Sequence, residues 1–443
     1  MEASRGKQIL RLALPLILQQ LCLQMQLWID RAMLGHVNAL FFSAIGNTTV
    51  PYHMIASAIT ALCGGTAILT AQGVGANNYE QVRRTTESSF LGSSLISVCA
   101  FTAFFFGAEE LFRLMGVQSP VLEYSIAYIR ILSISLLFLG ASATATAFLQ
   151  GIGLTKVIMA AGIAGNLLNI GLDWLLIFGK LGLPAMGIRG AALATVIANG
   201  LSALIVLAFV LRSPAIPVRI RLLDTPGEKL RSYRKVLALG VPSMLEYLLW
   251  NMGNMVLVSF LNRLDTLAAG IYTLVFSVET VPLLIYMGFA NAGLTLVGQQ
   301  TGANSPKQAR KTGLTCMFFS LAVCLGIAVV FRSIPRQLLG LFTDDAGILD
   351  IAAPYLVFVS WLLFPKAVNN VIGLCIRGLG DTRWMLYTQI FGTFVMIGGG
   401  YYLILCSGLG LAGIFVTLLV DESLRGILNL LRFCLTGREK NQT

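Results

Sequence analysis

The sequence predicts an all-α membrane protein with about twelve transmembrane helices, arranged as two six-helix lobes that a parallel internal repeat relates to one another. Three observations predict this class. First, 56% of the 443 residues are hydrophobic and only 12% are charged, whereas soluble domains contain about 25% charged residues. Second, long apolar runs recur along the chain. Third, the two halves of the chain align at one constant shift. A soluble globular protein is thereby excluded.

Twelve apolar runs are long enough to cross a bilayer, since a spanning helix needs about 20 mostly apolar residues. We expect these spans to be centred on Leu21, Thr60, Ile96, Leu136, Leu167, Leu201, Met252, Ile285, Ala322, Trp361, Thr393 and Leu418. Little chain remains for a soluble domain. The sequence contains no glycine-rich phosphate loop and no HExxH motif, so an enzyme is not expected.

The basic residues predict the orientation of the chain. With a cytoplasmic N-terminus, most of the 31 lysines and arginines fall in connections on the cytoplasmic side, as the positive-inside rule requires. Both termini are therefore expected in the cytoplasm. This distribution also explains the net charge of +11 without a nucleic-acid partner. The eight cysteines lie singly, mostly in apolar runs, and are interpreted as small buried hydrophobic residues rather than disulfides or metal ligands.

A polar segment rich in proline divides the chain. We predict an N-terminal six-helix lobe over 1–211, a cytoplasmic linker over 212–235 and a C-terminal six-helix lobe over 236–443. Pro15 corresponds to Pro242, which lies 227 residues later. This constant offset, called the repeat shift below, also aligns AQGVGANNYEQVRR with GQQTGANSPKQARK and FLQGIGLTK with CIRGLGDTR. After a gap of four residues, Gly187 pairs with Gly410. Six spans per half make the repeat parallel, an architecture found in transporters.

Ionisable residues inside spans are candidates for function, because they are costly in a membrane. The candidates are Asp30, Asp173, Glu246, Glu279 and Lys366. Asp421, near the predicted cytoplasmic end of the last span, is expected to be interfacial. Lys366 is expected to pair with one of the acids and so offset its burial.

Two faces carry polar residues in the first half. Gln19, Gln26 and Asp30 follow one another at i, i+7 and i+11, which places them on one face of the first span. Asn169 and Asp173, at i and i+4, share a face of the fifth span.

Thr195 on the sixth span can add a hydroxyl oxygen. Oxygen-only ligands suit a hard cation such as Na+. We hypothesise that Asp30 and Asp173 approach one another at this site. The alternative is a structural hydrogen-bond network that only packs the bundle.

The repeat shows that these residues occur in one half only. Asp30 falls opposite Leu257, Asn169 opposite Met396 and Asp173 opposite Gly400. The second half carries its own acids instead, with Glu246 in place of Gln19 and Glu279 in place of Tyr52.

Trp250 lies one turn after Glu246, so these two residues could bind an organic cation through charge and an aromatic ring. A structural role for Glu279 is an equal alternative. Pro15 can bend the first span during function, or form a static kink.

Six motifs in order carry a family resemblance: LALPLILQQ, IDRAMLGHVNAL, TAQGVGANNYEQVRR, FLQGIGLTK, NLLNIGLDWLLIFG and GIRGAALATVIAN. They resemble the MATE (multidrug and toxic compound extrusion) family, in particular its bacterial DinF-like and NorM-like members. The resemblance implies efflux of organic, often cationic amphipathic compounds across the bacterial inner membrane, coupled to Na+ or H+ and without another cofactor.

The resemblance also implies residue roles. Asp30, Asn169, Asp173 and Thr195 match the family's cation site, and Gln19, Gln26, Glu246, Trp250 and Glu279 are expected to contact substrate. Pro15 matches a helix that bends during the family's cycle. The expected partners are drug-like small molecules and membrane lipid, for a monomeric protein. The alternatives are a lipid-linked precursor or polysaccharide flippase of the same superfamily, a channel or membrane-embedded enzyme, and a major-facilitator transporter.

Overall fold

The computed structural model of the protein describes residues 2–35, 39–220 and 225–436. Within these ranges all regular secondary structure is helical. Three basic residues used for the predicted orientation, Arg221, Arg438 and Lys440, lie outside the described residues, as does part of the predicted linker.

The first half of the chain forms eight helices. Their bounds are α1 Glu2–Gly35, α2 Ala39–Gly75, α3 Tyr79–Phe106, α4 Ala108–Leu114, α5 Val121–Ser133, α6 Leu136–Ile152, α7 Thr155–Phe178 and α8 Ile188–Arg212. The described residues of the second half form seven α-helices and one π-helical segment. Their bounds are α9 Pro226–Leu264, α10 Thr266–Gly302, α11 Pro306–Ser333, α12 Pro335–Leu339, α13 Ala346–Gly378, α14 Thr382–Gly400, the π-helical Tyr401–Cys406 and α15 Leu411–Leu435.

These helices confirm the predicted multi-pass membrane fold. Among the described residues, ten helices are long and apolar enough to cross a membrane, and α5 with α6, bent by 46° at their junction, forms an eleventh candidate. The predicted centre Leu136 lies at this junction. The twelfth predicted span is α15, which has 25 residues but carries Asp421, Glu422, Arg425 and Arg432, so charged residues interrupt its apolar sequence.

The internal repeat extends to the backbone conformation of the turns. Asn77 and Asn304, which the repeat shift relates, both have positive φ, of 53° and 52°. Gly187 and Gly410, which pair after the four-residue gap, have φ/ψ of 54°/−127° and 52°/−125° at the starts of α8 and α15. Glycine adopts such angles far more easily than any other residue. The two halves therefore repeat local geometry as well as sequence.

The chain forms two compact units, one of residues 18–244 and one of residues 1–17 with 245–443. Both boundaries lie inside helices, within α1 and within α9, and the repeat shift takes the first boundary onto the second. Each boundary follows a proline by two residues, Pro15 in α1 and Pro242 in α9. The lobe boundaries predicted from the sequence, 1–211 and 236–443 with the linker 212–235, remain a prediction.

Each unit has an apolar interior. In the unit of residues 18–244, Phe104, Phe112, Ile129 and Leu136 form part of one buried cluster, and α7 packs along α8, where Gly190 approaches the Leu176 carbonyl. In the other unit, α10, α11 and α15 pack against α13. Of the candidate polar residues, those buried in these interiors are Gln26, Asn169, Asp173, Glu246, Glu279 and Lys366.

Candidate cation site

The structure brings four predicted residues together in the unit of residues 18–244. The second part of α1 supplies Gln26 and Asp30, and α7 supplies Asn169 and Asp173. The Gln26 amide nitrogen donates to Asp30 Oδ2 at 3.3 Å and also to Asn169 Oδ1. The carboxyl groups of Asp30 and Asp173 interact directly with each other. Side chains from two helices that are far apart in the sequence thus form one oxygen-rich cluster.

Buried oxygen atoms in this cluster lack hydrogen-bond donors. Asn169 and Asp173 are fully buried, and Asp30 is partly buried. Within the described part of the chain, no donor reaches Asp30 Oδ1 or either carboxyl oxygen of Asp173. Two adjacent carboxylates repel one another when both are ionised, and buried polar atoms without partners are costly. A proton or a small cation between the two carboxyls would satisfy these oxygens.

A hard cation fits the chemistry of this cluster better than a transition metal. The cluster offers carboxylate and amide oxygens, which suit hard ions. Among the residues that the structure describes, no group of three or more histidine, cysteine and acidic side chains is placed to hold a metal ion.

Thr195 as a member of this site and Gln19 as a residue that contacts substrate remain predictions. The Thr195 hydroxyl donates to the carbonyl oxygen of Ala191 in its own helix at 3.0 Å. Gln19 packs against α7 at Gly162, where an added Cβ would lie 2.7 Å from the Cγ atom of Gln19.

One residue near the cluster was missed from the sequence. In the amide orientation that its neighbours require, Asn166 donates to Gln26 Oε1 at 2.7 Å and accepts from the Leu23 backbone N–H at 3.0 Å. Asn166, Asn169 and Asp173 are spaced i, i+3 and i+7 on α7, so helical periodicity could have identified Asn166.

In the other unit, both acids that the sequence analysis selected are paired with bases on α13. The Arg377 guanidinium donates to Glu246 Oε2 at 2.6 Å. The Lys366 ammonium donates to Glu279, and both of these side chains are buried. This confirms the expectation that Lys366 pairs with one of the acids. Trp250 is partly buried, and its role in binding a substrate remains a prediction.

The interfacial position of Asp421 remains a prediction. Asp421 is 1% exposed, and Arg425, one turn later in α15, donates to both of its carboxyl oxygens at 2.6–3.1 Å. Arg425 also donates to Gln389 at 2.7 Å.

The same helix carries further polar residues that the sequence analysis missed. Asn369 on α13 donates to Glu422 at 2.7 Å, and Asn429 donates to Asn369 at 2.8 Å. The i, i+4 spacing of Asp421 and Arg425 was the signal that could have revealed this network.

Comparison with known proteins adds independent findings. The sequence model of the MatE family matches the chain twice, over residues 15–175 and 242–402, and the repeat shift takes the first match onto the second. The uncharacterized transporter YisQ of Bacillus subtilis is 26% identical over 406 residues, which cover 90% of this chain and 88% of that protein.

Two further similarities extend over almost the whole chain. The probable multidrug resistance protein NorM of Thermotoga maritima is 24% identical over 434 residues, which cover 98% of this chain and 92% of that protein. A solved structure described as the outward-facing conformation of a multidrug resistance MATE family transporter superposes with a TM-score of 0.92 at 22% identity, and the match covers 99% of this chain and 97% of that one. The overall fold is therefore that of MATE transporters.

Proposed function

The chain belongs to the MatE family, whose members are transporters and not enzymes, and we propose that it is a cation-coupled antiporter for multidrug efflux. It exports organic compounds, often cationic and amphipathic, by alternating access. The coupling ion is Na+ or H+, and no other cofactor takes part. Relatives named as multidrug resistance proteins support the substrate class.

One observation carries the coupling part of the proposal, namely the facing carboxyls of Asp30 and Asp173. Both lie inside a membrane-spanning bundle, and three of their oxygens have no donor among the described residues. Ionisable residues inside a membrane mark ion pathways more often than structural positions. With Asn169 beside them, these residues bind the coupling ion, and Thr195 contributes a further oxygen.

The two aspartates couple ion binding to a conformational change. Binding of a proton or Na+ removes the repulsion between the carboxylates, which stabilises the arrangement in which the second part of α1 lies close to α7. Pro15 lacks a backbone N–H and weakens α1 near the boundary of the unit, so α1 changes its bend there. Each ion shifts the equilibrium only by its different affinity for the two conformations.

The substrate residues in this proposal are Gln19, Gln26, Glu246, Trp250 and Glu279. Because Glu246 and Glu279 are paired with Arg377 and Lys366, an organic cation competes with these bases for the carboxylates. The protein acts as a monomer in the bacterial inner membrane, with both termini in the cytoplasm, and it contacts lipid and drug-like molecules but no nucleic acid.

Efflux of a cationic dye from everted vesicles tests the coupling, with Na+ and pH gradients imposed separately. We expect one gradient or both to drive transport by the wild type and neither to drive transport by Asp30→Asn. Glu110→Gln, which changes an exposed acid, is the matched control and should behave as wild type. Retained coupled transport in purified Asp30→Asn would contradict the proposal, and translocation of a lipid-linked oligosaccharide without dye efflux would favour the flippase.

Single cysteines near Asn77, Ser305 and Asp265 test the orientation. Asp265 should be labelled by an impermeant reagent from outside the cell, and Asn77 and Ser305 only after permeabilisation. Labelling of the latter two in intact cells would contradict the proposed topology.

A further inference from the structure

The beginning of α9 belongs to the unit of residues 18–244 and is held there by an aromatic ring placed over a glycine. The ring of Tyr233 lies against Gly92 of α3 so closely that a Cβ at Gly92 would overlap it. The Tyr233 hydroxyl lies 3.4 Å from the Ser93 hydroxyl. Leu69 and Val236 complete a small buried cluster around the ring.

Glycines also bring the backbones of α9 and α2 together next to this contact. A Cβ at Gly65 of α2 would overlap the Val236 carbonyl oxygen, and a Cβ at Gly240 of α9 would overlap the Leu62 carbonyl oxygen. Small residues at such positions allow helices in a membrane to approach closely. The beginning of α9 therefore packs against α2 and α3 through close, complementary contacts at these glycines.

The beginning of α1 makes the equivalent contacts in the other unit. Gly6 lies against Phe319 of α11, where a Cβ at Gly6 would be 3.3 Å from the Phe319 ring. Gly288 of α10 lies against Ile17 and the Ala13 carbonyl oxygen. Thus α1 docks on α10 and α11 as α9 docks on α2 and α3.

The repeat relates the two ring contacts in an unexpected way. The repeat shift pairs Gly6 with Tyr233 and Gly92 with Phe319. The aromatic residue and the glycine have therefore exchanged helices between the two halves. Two aromatic residues at one contact would collide, and two glycines would leave a void, which is also costly. Each of the two contacts combines one aromatic ring with one glycine, and the helix that supplies the ring differs between the two halves.

We propose that these two contacts, Tyr233 on Gly92 and Phe319 on Gly6, are a pair of latches that hold the beginnings of α9 and α1 and open during the conformational cycle. This inference rests on the proposed transport function for the role of opening. Each helix belongs to both units, with the boundary two residues beyond Pro242 or Pro15. In this proposal, the change of bend at these positions displaces the beginnings of α1 and α9 and thereby opens the latches.

Hydrogen–deuterium exchange of residues 226–244 in the purified protein tests the first latch without any transport assay. We expect Gly92→Phe and Tyr233→Ala each to speed exchange in this segment by about tenfold or more, because local opening becomes easier. The exchanged pair Gly92→Phe/Tyr233→Gly copies the arrangement of the second latch and should restore slow exchange. Gly326→Phe, at a glycine with open space around it, is the control. Unchanged exchange in both single variants would overturn the proposal.

Disulfide locking tests the opening of the latches. The pairs Gly92→Cys/Tyr233→Cys and Gly6→Cys/Phe319→Cys, each in a background without native cysteines, should cross-link under mild oxidation. Either cross-link should stop dye efflux, and a reductant should restore it. Full transport with the cross-link formed, or no cross-linking in either pair, would overturn the proposal. If the reduced proteins also lack transport, the proposed function fails, and the exchange experiment still decides whether the contacts hold these segments.

Discussion

The α1–α7 contact of the first half and the α9–α14 contact of the second half have equivalent positions but opposite chemistry. In the first, Gln26 donates to Asn169 and the carboxyls of Asp30 and Asp173 face one another. Each of these pairs is polar, and the second pair leaves buried oxygens without donors among the described residues.

In the second half, the same two pairs are apolar and combine a large with a small residue. Gly253 stands in place of Gln26, and Met396 stands in place of Asn169. A Cβ added at Gly253 would lie 3.5 Å from the methyl group of Met396. Leu257 stands in place of Asp30, and Gly400 stands in place of Asp173. The Leu257 side chain lies so close to Gly400 that a Cβ added at Gly400 would overlap it. Both pairs bury apolar atoms and need no partner.

The difference shows that the same pairs of positions are in contact in both halves, whereas the residue types at these positions differ. The apolar pair is complete in itself, whereas the aspartate pair requires a proton or a cation for low energy. The buried acids elsewhere in the unit with Leu257 have internal cations instead, since Lys366, Arg377 and Arg425 all form ion pairs there. We therefore expect loss of an acid to affect ion coupling in the unit of residues 18–244, and to lower stability in the other unit, where Glu246 and Glu279 also have their proposed contacts with substrate.

The largest effect should follow from neutralising an acid that has no basic partner among the described residues. Asp30→Asn should lower coupled efflux by about 100-fold or more, since one charge of the ion site is lost, while folding and membrane insertion remain. Dye efflux and the melting temperature of the purified protein measure the two properties. If Asp30→Asn instead lowered the melting temperature strongly and kept coupled transport, the acid would act on stability rather than on coupling, and the prediction would be contradicted.

Breaking an ion pair in the other unit should act on stability. Glu279→Gln leaves the buried ammonium of Lys366 without its partner and should cost about 3–5 kcal/mol. The double variant Glu279→Gln/Lys366→Met removes both charges and should recover most of this loss. Denaturation of the single and double variants measures the coupling, and equal stability of Glu279→Gln and wild type would contradict a structural role for this pair.

The apolar contact can be disturbed by a single methyl group. Gly400→Ala should destabilise the protein by about 1–3 kcal/mol, because the new Cβ overlaps Leu257. Gly398→Ala, in the same helix but with nothing near its Cβ, should be neutral or slightly stabilising. Thermal unfolding of the two variants checks this, and equal stability would mean that the contact at Leu257 is loose.

The smallest expected effect is the dependence of Na+ affinity on pH, measured by calorimetry on the purified protein. Protons and Na+ compete for the same carboxylates, so Na+ affinity should weaken as pH falls, by at most about tenfold per pH unit for each displaced proton. Asp173→Asn should largely remove this dependence. A Na+ affinity that depends neither on pH nor on Asp30 and Asp173 would rule out a shared site.

Much of the fold followed from the sequence because membrane helices depend on local properties. A run of about 20 apolar residues must be helical in lipid, where each backbone group needs an internal partner. The pairing of Gly187 with Gly410 was also evident from the repeat, and the structure adds that both have the same backbone conformation. The junction of α5 and α6 was not, since only Ser133 and Ser135 interrupt the apolar run before Leu136, and no proline or glycine marks a break there.

The site was predictable in its residue types and only partly in its partners. Asn169 and Asp173 are one turn apart, so their common face follows from helical geometry. The ion pair of Glu246 with Arg377 joins residues 131 positions apart, and no local pattern shows it. The pairing of Asp421 with Arg425 could be predicted from their i, i+4 spacing, whereas the burial of both side chains depends on neighbouring helices.

The sequence by itself determined the helices, the repeat and the candidate acids, because these depend on composition and on spacing along one helix. Only the tertiary structure decided which acids have a basic partner among the described residues, since that depends on distances between helices that are far apart in the chain. It also decided that α1 and α9 each contribute to both units. Nothing in a continuous helical pattern records where a helix leaves one set of neighbours for another.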